Sequence, residues 1–206
     1  MAPMATGQRV YGGVTGEDRR AERRAQLIEA GLAMLGTADG EPGLTVRGVC
    51  AEAGLAARYF YESFSDRDAL AVAVFDRVVS EVAEAALRAA ESAAGPEPKA
   101  RAALGALVGS IAEDPRRGRL LFSPALNSPV LAERRVDSTR MFVRLLRQQA
   151  REVYDAERGT RADVLADFLV GGLAQALSSW LAGTLRATED ELVEHCTQIF
   201  LAVGEF

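Results

Sequence analysis

Lysine is all but missing from this chain: of its 24 basic residues, 23 are arginine and one, Lys99, is lysine. Histidine and cysteine are almost as scarce, with His195 alone and only Cys50 and Cys196. Two cysteines inside apolar helical patterns suggest neither a disulfide framework nor a zinc site; buried free thiols are expected. His195 has no serine–acid partner pattern and no metal-ligand spacing around it, and no glycine-rich phosphate loop occurs. Catalysis, a bound metal and a resident cofactor are therefore not expected. No uninterrupted apolar run reaches membrane-spanning length and no signal-peptide pattern opens the chain, so a cytoplasmic protein without a membrane partner is expected. A net charge of −5 argues against indiscriminate coating of nucleic acid, though not against a local basic face.

What is present is helical. Residues 1–16 carry glycine, proline and small residues without periodicity and are expected to form a flexible tail. Ile28, Gly31, Leu32 and Leu35 follow at helical spacing behind the cluster Arg19, Arg20, Arg23 and Arg24. Thr45 caps a short helix whose inner positions, Val46, Val49, Cys50 and Ala53, fall at i, i+3, i+4 and i+7, and Gly54 is placed to end it in a left-handed conformation. A second short helix spans about Ala56 to Ser63, and Asp66 then caps a long one. Thr160 introduces a stripe that includes Phe168, Leu173, Leu177 and Trp180, and Thr188 with Glu191 forms a capping box for the last helix. The fold class predicted is all-α with about nine helices. Its expected divisions are a helix-turn-helix head over 17–67 and a larger body over 68–206.

Two short helices meeting at a glycine can place one helix in the major groove of DNA, but the pattern also occurs in many helical proteins without that role. The stretch Leu44-Thr45-Val46-Arg47-Gly48-Val49-Cys50-Ala51-Glu52-Ala53-Gly54-Leu55, then Tyr59-Phe60-Tyr61-Glu62-Ser63-Phe64 and Asp66-Arg67-Asp68-Ala69-Leu70, resembles the DNA-binding head of TetR-family transcriptional regulators. The resemblance implies a homodimer that binds a double-stranded operator. Thr45, Tyr61 and Arg67 would hold the DNA backbone, Arg67 standing where the family usually has lysine. Ala57, Arg58 and Tyr59 would face the bases, with Arg47 adding a base or phosphate contact.

The sequence departs from the family at Ala56, which replaces a hydroxyl-bearing cap, and at Arg58 and Tyr59, which replace a small pair. A missing cap predicts a recognition helix that frays until DNA binds, and Glu62 is expected to repel phosphate unless it accepts from cytosine. Bland readings stand beside these: Tyr59 and Tyr61 as core aromatics, Arg47 paired with Glu52 or Glu29, and the arginine cluster as a salt-bridged face of the first helix. Residues 1–67 hold eight arginines against nine acidic residues, so the head is not basic overall and its arginines must be sorted onto one face. Arg9 in the tail is expected to reach an adjacent minor groove.

For the body, the resemblance implies a small-molecule effector pocket, with Phe75, Leu107, Phe122, Met141, Phe142 and Trp180 as lining candidates; each could equally be plain core. It also places a dimer interface in the last two helices, for which Phe168, Gly171, Gly172, Leu173, Leu177 and Ile199 are the candidates. The two adjacent glycines lower helix propensity, which points to close helix approach; an intramolecular bundle is the alternative.

Overall fold

The structure, a computed structural model, describes residues 16–37, 43–123, 126, 128–154 and 159–204. Among them are nine α-helices and no strand. They are α1 (Gly16–Leu35), α2 (Val46–Glu52), α3 (Ala57–Tyr61), α4 (Arg67–Glu91), α5 (Pro96–Glu113), α6 (Pro115–Phe122), α7 (Pro129–Tyr154), α8 (Thr160–Leu181) and α9 (Glu189–Gly204). The expected tail, Arg9 included, lies outside the described residues apart from Gly16, which opens α1.

Local chemistry accounts for the helix ends. The Thr45 hydroxyl accepts from the Gly48 N–H at 3.0 Å and so satisfies a donor that the first turn of α2 leaves open. At the other end Gly54 takes φ +64°, the Leu55 N–H reaches the Cys50 carbonyl at 2.9 Å and the Gly54 N–H reaches that of Ala51 at 3.2 Å, a Schellman closure. Asp66 caps α4 through the Ala69 N–H at 2.8 Å. That bond first, and the Ser65 hydroxyl second, hold the Asp66 carboxyl below the usual carboxylate range. Thr188 and Glu191 bond reciprocally at the start of α9.

One apolar cluster runs from Leu27, Leu32 and Leu35 of α1 through Val49 and Phe60 to Leu70, Val74 and Phe75 of α4, and on to Leu120 and Leu131. The core therefore crosses the expected 67/68 boundary without a break. A second cluster joins Leu104, Val108 and Ile111 of α5 to Leu177 of α8 and Leu192 and Cys196 of α9. Both cysteines are free and buried, and burial pushes each thiol up from its ordinary value.

The head is also fastened to the body by charge. Glu29 of α1 meets Arg77 of α4 (3.4 Å), Arg77 meets Glu81 (2.7 Å), and Glu81 meets Arg117 of α6 (3.3 Å). Arg117 then lies 3.8 Å from Asp114, Asp114 pairs with Arg116 (2.7 Å), and Arg116 returns to Glu29 (3.0 Å). Three arginines and three carboxylates thus alternate around a closed ring. The Arg116 side chain, ahead of the opposing burial penalty, holds the Asp114 carboxyl below its usual range. Next to the ring, α1 and α6 touch so closely that a Cβ on Gly36 would lie 2.4 Å from that of Arg116, while Arg119 donates to the Gly36 carbonyl at 3.0 Å. On the far side of α6, Arg135 donates to the carbonyls of Leu120, Leu121, Ser123 and Leu126, holding the end where carbonyls lack helical partners.

Candidate nucleic-acid interface

Helices α2 and α3 are seated on α1 by Val49, Cys50 and Phe60, which are buried together with Phe64. The arginine and tyrosine side chains of this unit are left outside that core. Thr45 is exposed at the head of α2, and its hydroxyl, already accepting from Gly48, keeps a proton to donate. Arg47 is exposed, and among the described residues it forms no ion pair with Glu29 or Glu52; Glu29 belongs to the ring with Arg77 and Arg116. Ala57 and Arg58 are exposed on α3. Tyr61 is 62% exposed and meets only the edge of Phe60, so it is no core aromatic. Arg67, at the first position of α4, lies 3.4 Å from Asp68 in a well-solvated pair, a contact of little energetic weight.

Tyr59 is half-buried, yet its neighbours are cations. The Arg23 guanidinium of α1 stands 4.5 Å from its ring centroid and that of Arg58 stands 4.6 Å away. Arg58 also donates through Nη2 to the Tyr59 hydroxyl at 2.7 Å. Glu62 is engaged by α1: its carboxylate lies 3.7 Å from Arg23 Nη2, and its carbonyl accepts from Arg20. Part of the arginine cluster of α1 therefore does pair with acid, but the acid belongs to α3 and not to α1 itself. Ala56 provides no side-chain cap, as expected, but α3 is formed over Ala57–Tyr61. Its opposite end is held by a guanidinium on the C-cap carbonyl.

These positions, α1 behind a pair of short helices and a long α4 leading into a helical body, can be set beside solved structures. No protein-family model and no curated protein sequence matches the chain. Solved structures do. The fatty acid degradation regulator FadR from Bacillus halodurans superposes with a TM-score of 0.73 at 15% identity, over 87% of this chain and 94% of that one. FadR from Bacillus subtilis, in complex with stearoyl-CoA, gives 0.72 at 14%, over 87% and 98%. A TetR-like transcriptional regulator from Rhodococcus sp. RHA1 gives 0.65 at 17%, over 90% and 94%. The fold is that of the TetR-type regulators.

Within this TetR-type fold the expected pocket residues are spread over the two apolar clusters, and of the six Leu107 and Phe122 lie at the seam between them. Phe75 is fully inside the first, Met141 and Phe142 pack against it, Trp180 packs against the second, and Leu107 and Phe122 touch both. Trp180 Nε1 donates to the Ala187 carbonyl at 2.9 Å. Among the described residues, two surface grooves are lined by none of the six: one runs between α1 and α4, the other between α5 and α9, where His195 sits beside Glu191 and Glu194. Among the described residues no group of three His, Cys, Asp or Glu side chains is placed to hold a metal ion.

The interface candidates divide between two faces of α8. Phe168 is 73% exposed, Gly171 and Gly172 are exposed with nothing within 4 Å of where a Cβ would stand, and Ile199 on α9 is 54% exposed. Leu173 is half-buried and Leu177, 1% exposed, belongs to the second cluster. Among the described residues no helix approach explains the glycines. By length and composition α8 is apolar enough to cross a bilayer, although charged residues interrupt its apolar run. Its inner face, however, is anchored by Leu177 among α5 and α9 side chains.

Proposed function

We propose that this protein is a homodimeric, ligand-responsive DNA-binding transcriptional regulator of the TetR type, a repressor released from a palindromic operator by a small-molecule effector. The observation that carries the reading is the outward face of residues 45–67, where Thr45, Arg47, Arg58, Tyr61 and Arg67 are exposed around a pair of short helices buried on their other side. Thr45, Tyr61 and Arg67 position the head on phosphates, and Ala57, Arg58 and Tyr59 face the bases, with Arg47 beside them. The head is not basic overall, so DNA binding rests on the local sorting of Arg47, Arg58 and Arg67 onto the exposed face.

Residues 17–67 serve as the DNA-binding head and 68–206 as the effector and dimerisation body. Two heads are needed to span successive major grooves, and the exposed apolar face of Phe168, Gly171, Gly172 and Ile199 is where a second copy docks. A second copy explains the bare glycines better than lipid does, since lipid asks for no missing Cβ. The effector is apolar and enters the seam by displacing Met141, Phe142 or Phe122; the neighbour bound to stearoyl-CoA makes acyl-CoA the first compound to try. Effector binding favours a body conformation in which α4 carries the heads out of register with the grooves.

The decisive experiment is a gel-shift titration of duplexes selected from a random pool, over a salt series, with and without stearoyl-CoA. Specific binding that survives competitor DNA, falls steeply with salt and is released by the acyl-CoA is the expected result. Binding without sequence preference would overturn the regulator reading; specific binding indifferent to stearoyl-CoA would overturn only that effector class.

A further inference from the structure

We infer that Arg23, on α1 and outside the helix-turn-helix pair, is a positioning residue for base recognition: by stacking on Tyr59 it sets the direction in which Arg58 is presented. This rests on the DNA-binding reading above. Arg58 is the only residue of α3 with a guanidinium, and it is not loose, since it lies against the Tyr59 ring and donates one N–H to the Tyr59 hydroxyl. Four of its five N–H groups remain, enough for a bidentate contact to guanine. The aim of Arg58 therefore follows the orientation of the Tyr59 ring.

That ring is held from α1. Arg23 stands 4.5 Å from the ring centroid, and two like charges against one ring would repel without compensation. Glu62 supplies it, 3.7 Å from Arg23 Nη2, and Arg20 fixes Glu62 in turn through its carbonyl. The order of control runs from Arg20 and Glu62 to Arg23, to Tyr59, to Arg58. A planar guanidinium is suited to stacking in a way that a lysine ammonium is not, so charge and stacking at position 23 can be separated by substitution.

The test uses the full chain and an operator selected from random duplexes, with competition binding against duplexes altered one base pair at a time. Arg58→Ala should lower discrimination about tenfold at one base pair of each half-site. Arg23→Ala and Arg23→Lys should each lower it about threefold at that same base pair and no other, and Arg23→Ala should add nothing in the Arg58→Ala background. Arg23→Lys should leave the salt slope as it is in the natural chain.

Unchanged discrimination, or a loss spread evenly over all duplexes as for a plain phosphate contact, would overturn the inference while leaving the regulator reading intact. If the natural chain showed no sequence preference, both would fall. A DNA-free arm stands apart from either: Arg58 side-chain proton resonances should carry a ring-current shift that Arg23→Ala reduces. A shift that Arg23→Ala leaves in place would also overturn it.

Discussion

Two outward faces of this molecule are unfinished, and they are unfinished in opposite ways. On α3 the exposed side chains are cationic or phenolic and already organised by their neighbours, Arg58 against Tyr59 and Tyr59 against Arg23. On α8 the exposed apolar surface is Phe168 beside two glycines, and among the described residues nothing lies within 4 Å of where the glycines' Cβ atoms would stand. The first face keeps its charges hydrated and suits a polyanion. The second leaves apolar area in water, at about 25 cal/mol per Å², and suits a surface like itself. Position along the sequence does not make this distinction; the presence or absence of a partner within the chain does.

The comparison can be broken most severely from inside α8. Leu177→Ala removes a fully buried side chain from the second cluster and should cost about 2–5 kcal/mol of unfolding free energy in urea titrations. If Leu177 instead belonged to an intermolecular face, the loss would vary with protein concentration. Phe168→Arg, on the outer face, should leave monomer stability within about 0.5 kcal/mol. Across a two-fold interface it should weaken the dimer by on the order of a hundredfold in sedimentation equilibrium, and an unchanged dimer would remove α8 from the interface.

On the DNA side, Arg67→Ala should weaken binding to all sequences alike and reduce the salt slope by about 1; a change in base preference would contradict its assignment to phosphate. Gly171→Ala sharpens the contrast most finely. Mid-helix and with free space for a Cβ, it should stabilise the isolated monomer by about 0.5–1 kcal/mol while weakening the dimer. Stabilisation of both would mean that the glycines do not serve a close approach.

The elements whose signals are local were legible in the sequence: the Thr45 cap, the turn at Gly54, the Asp66 cap and the Thr188–Glu191 box each depend on residues a few positions apart. The α8 stripe was legible as apolar but not as two faces, because its period spreads over both sides of the helix and only the packing of α5 against Leu177 decides which is inner. The engagement of Glu62 by α1 was not legible for a related reason. Its partners Arg20 and Arg23 lie about forty positions earlier, on a helix whose arginines had acids of their own nearby. Tertiary ion pairs of this separation leave no periodic trace.

Acid acts on the cap of α4 and on the ring that joins α1 to the body. Asp66 and Asp114 are both held below the usual carboxylate range, so their contribution is complete above the unfolded value near 3.9 and is lost as pH falls through the lower folded value. Asp114→Asn should therefore reduce the fall in urea midpoint measured between pH 7 and pH 3; an unchanged fall would mean the ring is not what acid dissolves.

The ring that joins α1 to α4 and α6 is a loop and not a chain, and a loop has no terminal link. Cut at any one pair, it becomes a linear run in which each remaining ion still keeps a counterion, and the two helices stay tied by the other route. A substitution such as Glu81→Gln is thus buffered, since Arg77 and Arg116 both keep Glu29, while Glu29→Gln removes the one member of the ring that α1 contributes and cuts both routes at once. Tolerance at the body's positions and intolerance at the head's single one is built into the way the head is hung on the body.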